Sequence, residues 1–203
     1  KGTSVYVGGI GGYVYNCDWK NVTNYADIEC SAILSGHFYI AGCLSSPGLN
    51  DSDGNHIYKG ENINNYGAIN VLSKSSKRIV VGGCIGISTV AVANIPYANY
   101  GKITCKGTYD KSQANGIGGL VGSLNSGKTT LDNGTCYCEI EATGFECVGF
   151  GTGYARTDTH KMTNCKFGGS LVKVERDEED ESVTVKRTDL SADNYFEYIY
   201  SEA

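Results

Sequence analysis

Proline, methionine and histidine are scarce in this chain, and so is charge: 2, 1 and 3 residues of the first three types, with 19% charged side chains in 203 residues. So little proline excludes collagen-like and proline-rich linker segments, and the low charged fraction argues against a helical protein. The histidines, His37, His56 and His160, are scattered, and there is no Cys-x-x-Cys pair, which argues against a zinc site. No apolar run approaches the roughly 20 residues of a membrane-spanning helix, so no membrane insertion is expected. There is no basic patch for nucleic acid. The chain starts at Lys1 without the pattern of a signal peptide, so any targeting segment is expected to have been removed or to lie outside it.

What is abundant is glycine, 28 residues, and tyrosine, 15. Together they point to short strands joined by glycine turns, an all-β protein of one domain. Charge is concentrated at one end: residues 171–203 hold ten acids and four bases, residues 1–170 twelve acids and thirteen bases.

The chain also repeats itself. A glycine-rich block recurs at Gly8-Gly9-Ile10-Gly11, Ala41-Gly42-Cys43-Leu44, Gly82-Gly83-Cys84-Ile85, Gly118-Gly119-Leu120-Val121 and Gly149-Phe150-Gly151-Thr152, with starts 33, 41, 36 and 31 residues apart. A second block follows each: Asn24-Tyr25-Ala26-Asp27-Ile28, Asn65-Tyr66-Gly67-Ala68-Ile69, Asn99-Tyr100-Gly101-Lys102-Ile103, Cys136-Tyr137-Cys138-Glu139-Ile140, and a worn copy at Lys166-Phe167-Gly168. Two blocks in fixed order with loops of variable length predict a parallel β-solenoid of about five repeats over 1–172, expected to be right-handed, because each turn buries its apolar face only against its neighbours. Residues 173–203 break the repeat. Alternating segments flank the acidic run Glu175–Glu181, which suits a hairpin, and a last strand over Tyr195–Tyr200 would cap the coil.

Gly122, Gly127, Lys128 and Thr129 match the phosphate-binding P-loop pattern. That pattern needs a helix after it, whereas Thr130 to Cys138 carries Asn-Gly and alternating residues, so the match is read as one repeat's strand end plus its variable loop, and no nucleotide is expected. Asp51, Asp53 and Asn55 begin a calcium loop that then fails, with His56 where glycine is required and Asn62 where glutamate is, so no cofactor is expected and calcium is only a weak candidate.

Gly119-Leu120-Val121-Gly122, within repeats carrying Asn-Cys (Asn16-Cys17, Asn164-Cys165) and Asn-Tyr-Gly-x-Ile, resembles the GLUG-motif repeats of bacterial surface and adhesin-like proteins. The resemblance covers most of residues 5–172. It implies an extracellular, cell-surface location and a non-catalytic binding or spacer role toward glycans or surface proteins. The alternative is a β-helical enzyme acting on polysaccharide.

Period two assigns the columns. Ile28, Ile69, Ile103 and Ile140 should face inward, with Cys30, Val71, Cys105 and Ala142 two residues on; Asp27, Ala68, Lys102, Glu139 and Glu29, Asn70, Thr104, Glu141 should face out. The nine cysteines then fall in apolar slots: Cys43 and Cys84 with Ile10 and Leu120, Cys17 and Cys165 with Ile63 and Ile95. They read as buried free thiols, which for a surface protein suits an oxygen-poor setting. If any pair is oxidised, Cys43 and Cys84 are the first candidates, at neighbouring rungs. A carboxylate pair for glycoside hydrolysis is permitted by spacing only within a strand, at Asp27 with Glu29 or Glu139 with Glu141.

The column Tyr25, Tyr66, Tyr100, Tyr137, with Phe167 below, has two readings. Facing outward it is a platform for sugar rings, with Asn70, Thr104 and Glu141 nearby. Turned inward at a corner it is a core stack. Strand parity favours outward; the glycines at 67 and 101, read as a bend that resets parity, and Phe167 without a hydroxyl favour inward, the reading given more weight.

Overall fold

The computed structural model describes residues 4–15, 19–48, 57–58, 60–88, 91–92, 96–110, 112–113, 115–125, 130–155, 161–176 and 183–189. All their regular structure is strand, wound as a parallel β-solenoid of about four full turns, five rungs deep.

Each rung crosses three sheets. Sheet A stacks Val5–Gly8, Phe38–Ala41, Ile79–Gly82, Gly116–Gly118 and Val148–Gly149. Sheet B stacks Gly11–Tyr15, Leu44–Gly48, Ile85–Ser88, Val121–Leu124 and Thr152–Ala155. In sheet C the first three rungs contribute two strands each, Trp19–Asn24 with Ile28–Leu34, Gly60–Asn65 with Ile69–Ser75, and Tyr97–Asn99 with Ile103–Thr108. The last two rungs cross it in single strands, Thr135–Thr143 and Lys166–Arg176. Val183–Asp189 then pairs antiparallel with Lys166–Arg176, forming the hairpin expected around the acidic run and covering that edge of the sheet. The expected capping strand at Tyr195–Tyr200 lies outside the described residues.

The inward columns follow the period-two pattern. Ile28, Ile69, Ile103, Ile140 and Leu171 are in register and buried, each aliphatic side chain contributing about 1.5–3 kcal/mol of burial. Cys30, Val71, Cys105 and Ala142 share the next column. Two assignments are corrected. Val22 and Tyr97 pair with Ile63, in the places expected for Cys17 and Ile95, both of which lie outside the described residues. Phe167 pairs with Cys136, and Gly168 with Tyr137, so Phe167 is not the fifth member of the tyrosine column.

The glycine blocks form the corner between sheets A and B, and this corner points into the coil. Cys43 Sγ donates to the Asn64 carbonyl at 3.1 Å and Cys84 Sγ to the Ala98 carbonyl at 3.2 Å, both on sheet C. In the first four blocks the second position has no room for a side chain: a Cβ on Gly42 would collide with the Gly83 carbonyl and the Asn65 side chain, and one on Gly83 with the Gly119 carbonyl and Asn99, whereas the last block carries Phe150 there. On the other side of the corner the two sheets close on each other. Ser45 Oγ donates to the Tyr39 carbonyl at 2.6 Å, and Tyr39, Val80 and Ile87 form a small cluster with Tyr6, separate from the main core.

Candidate functional site

The second repeated block is built around asparagines that the sequence reading left without a role. Asn24, Asn65 and Asn99 are buried on the inner side of sheet C, one per rung. Asn24 Nδ2 donates to Asn65 Oδ1 at 2.9 Å, and Asn65 Nδ2 to Asn99 Oδ1 at 2.8 Å. Each also bonds two residues ahead along its own chain: Nδ2 to the carbonyls of Ala26 at 2.8 Å, Gly67 at 2.8 Å and Gly101 at 3.2 Å. A buried amide is tolerated only with its donors and acceptors paired, and here they pair along and between rungs. The bond to residue i+2 bends the chain and interrupts the strand, which is why sheet C has two strands per rung here.

The bend keeps parity. With Asn inward, the next residue faces out, and the small residue after it leaves room for the amide; Gly67 and Gly101 also let successive rungs approach, since a Cβ on either would strike the backbone of the rung beside it. Tyr25, Tyr66, Tyr100 and Tyr137 are therefore exposed, at 75%, 48%, 41% and 49%. The inward core stack is overturned. Tyr25 and Tyr66 stack at 5.2 Å between centroids with planes 14° apart, and Tyr66 and Tyr100 at 4.9 Å and 16°. These separations mean slipped rings, shingled so that each covers part of the next. The result is an inclined strip of ring faces, edges and hydroxyls, rather than a flat platform. Tyr137 leaves this strip: its ring lies against Gly168, over the place a side chain would take.

The polar residues beside the strip are engaged with one another. Asp27 Oδ1 accepts from the Ala68 N–H at 2.8 Å and Glu29 Oε1 from Asn70 Nδ2 at 2.6 Å. Lys102 Nζ pairs with Glu139 at 2.6 Å and Glu141 at 3.4 Å, and the hydrogen bond to Glu139 is the main reason its pKa is raised. Both candidate carboxylate pairs thus serve contacts between rungs.

The other candidates fall elsewhere. Gly122 lies in sheet B, packed against the Gly86 and Val81 carbonyls, and the strand Thr130–Asp132 stands where a P-loop needs a helix. Gly127, Lys128 and Thr129 lie outside the described residues, as do Asp51, Asp53 and Asn55. Among the described residues no group of three or more His, Cys, Asp or Glu side chains is placed to hold a metal ion. A second asparagine column also went unread: Asn21, Asn62, Asn133 and Asn164 all adopt positive φ, 54° to 57°, at the entry to sheet C. Asn133-Gly134 and Asn164-Cys165 leave a sequence trace of this left-handed turn, whereas Asn21 before Val22 and Asn62 before Ile63 leave none.

Among the described residues Cys43, Cys84, Cys105, Cys136 and Cys138 are buried free thiols, and Cys30 is a half-buried one. Burial pushes Cys43 up to about 12 and raises Cys84, Cys105 and Cys136 as well. The close sulfur pair is Cys136 with Cys138, Sγ to Sγ 3.3 Å, and Cys43 and Cys84 instead turn to carbonyls of sheet C. No protein-family model, curated protein or solved structure matches this chain.

Proposed function

We propose that this chain is a non-catalytic glycan-binding module of a bacterial surface protein, its coils serving also as a spacer, and that Tyr25, Tyr66 and Tyr100 make the contact. The observation that carries this reading is the exposed, ordered tyrosine strip. Three large aromatic rings held in register at 41–75% exposure are unusual on a protein surface unless something covers them. Their ordering is already met by the buried asparagine ladder, so a ligand need not order them again. The ring separations of 4.9 and 5.2 Å are close to the length that one hexose occupies in an extended β-1,4-linked chain. A polysaccharide strand lying along the coil axis would set successive sugars on successive rings, with hydroxyls reaching the tyrosine O–H groups and Thr104. The surface setting rests on the GLUG-like tetrad Gly119–Gly122.

The alternative, polysaccharide cleavage, is not carried further because the acids at 27, 29, 139 and 141 are tied to neighbouring rungs. A glycan array that includes length series of β-1,4-linked gluco- and N-acetylgluco-oligosaccharides tests the proposal. Binding should strengthen up to about three sugars, one per stacked ring, and then level off. Absence of binding to every glycan would overturn it.

A further inference from the structure

The fourth rung replaces the asparagine and glycine of the bend by Cys136 and Cys138, and from this we infer that the two thiols form a redox-active pair that closes to an intramolecular disulfide on meeting a peroxide. In the rungs above, the same two positions, i and i+2, are joined by a hydrogen bond that Asn65 Nδ2 donates to the Gly67 carbonyl and Asn99 Nδ2 to the Gly101 carbonyl. Cys136 takes the asparagine's place in register with Asn99, and the strand runs on unbroken as Thr135–Thr143. The two sulfurs are already in contact at 3.3 Å, inside the coil. Cys43 and Cys84, one rung apart in a shared column, make no such approach, each sulfur being directed at a carbonyl.

Burial selects the oxidant. Cys136 is fully buried and Cys138 is 6% exposed, so a bulky disulfide cannot reach them but a small peroxide can. Cys138, the less deeply buried of the two, reacts first. Its sulfur attacks one peroxide oxygen, the O–O bond breaks, and with hydrogen peroxide the other oxygen leaves as water, giving the sulfenic acid. Cys136 sulfur then attacks that sulfenic sulfur, the S–O bond breaks and a second water leaves. Two thiols and one peroxide become one disulfide and two waters, the peroxide taking up both electrons.

The full chain is treated in its native state with a small excess of hydrogen peroxide, quenched, unfolded, alkylated and digested with trypsin. The peptide spanning residues 129–156 carries Cys136, Cys138 and Cys147. More than half of it should be recovered alkylated once, at Cys147, about 2 Da lighter at the remaining pair, and without fragmentation between 136 and 138. The double variant Cys136→Asn, Cys138→Gly restores the Asn-Tyr-Gly pattern of the third rung, should keep the β circular dichroism spectrum, and should show no such loss of mass. Three alkylated cysteines in the wild-type peptide, a sulfinic acid at Cys138, or a disulfide to Cys147 or to another peptide would each overturn the pairing.

Discussion

The first three rungs and the last two pass the same point of sheet C with different side chains. Above, Asn24, Asn65 and Asn99 bend the chain, interrupt the strand and project one tyrosine each into a stacked strip. Below, Cys136 and Phe167 occupy the column, the strands run through unbroken, and Tyr137 lies down over Gly168. The outward ring thus joins the stack only where the buried neighbour is an amide. The inner ladder determines the geometry of the outer surface, and the surface strip ends where the ladder ends.

The largest expected effect separates thiols from amides by their ionisation. Cys43, Cys84, Cys105 and Cys136 have folded pKa values raised above the ordinary thiol value of about 9. A raised folded value means stability that is full below the unfolded pKa and falls as pH climbs from there toward the folded value. Each such thiol removes about 1.4 kcal/mol per pH unit in that window, so four together remove about 5 kcal/mol per unit. Circular dichroism under reducing conditions should show cooperative unfolding between about pH 10 and 12. The variant Cys136→Asn, Cys138→Gly should unfold at higher pH than wild type; an unchanged midpoint would remove Cys136 from this account.

Cutting the two columns directly should give the next largest difference. Asn65→Ala removes the middle of the ladder and strands buried groups on Asn24 and Asn99, at a cost of about 3–4 kcal/mol in urea unfolding. Cys136→Ala removes one buried sulfur and no required hydrogen bond, and should cost about 1–2 kcal/mol. Equal losses would mean that the ladder is incidental. Smaller again is the ion pair that joins the two regions, from Lys102 on the third rung to Glu139 and Glu141 on the fourth. It is solvent-exposed, so Lys102→Met should cost less than about 1 kcal/mol, and the loss should shrink in high salt.

These regions also differ in how far they could be read from sequence. Isoleucines at 28, 69, 103 and 140 announce themselves, because an inward column admits little but aliphatic side chains. The hairpin around the acidic run was legible for a similar reason, alternation on both sides of a solvated tip. The asparagine ladder was not, since a polar residue beside a glycine reads equally well as a turn, and only the adjacent rung supplies its partner. Missing the ladder led to the wrong direction for the tyrosines: the glycines at 67 and 101 suggested a change of parity, whereas they leave space for the amide and for rung contact. Phe167 was misplaced by one residue because an aromatic in a worn repeat was matched to the nearest aromatic column. Val22 and Tyr97 fill the column expected for Cys17 and Ile95, because the left-handed turn at Asn21 and Asn62 that sets the register there has no dipeptide signature in the sequence.

Tyr66 sits in the middle of the strip, stacked on both sides, and its replacement by alanine tests the central claim most directly. Urea unfolding and calorimetric titration with the best-bound oligosaccharide are measured on the same preparation. An exposed contact residue predicts a stability loss within about 1 kcal/mol and an affinity at least about tenfold weaker. A loss of about 3–5 kcal/mol, as for a buried aromatic, or an unchanged affinity would contradict it.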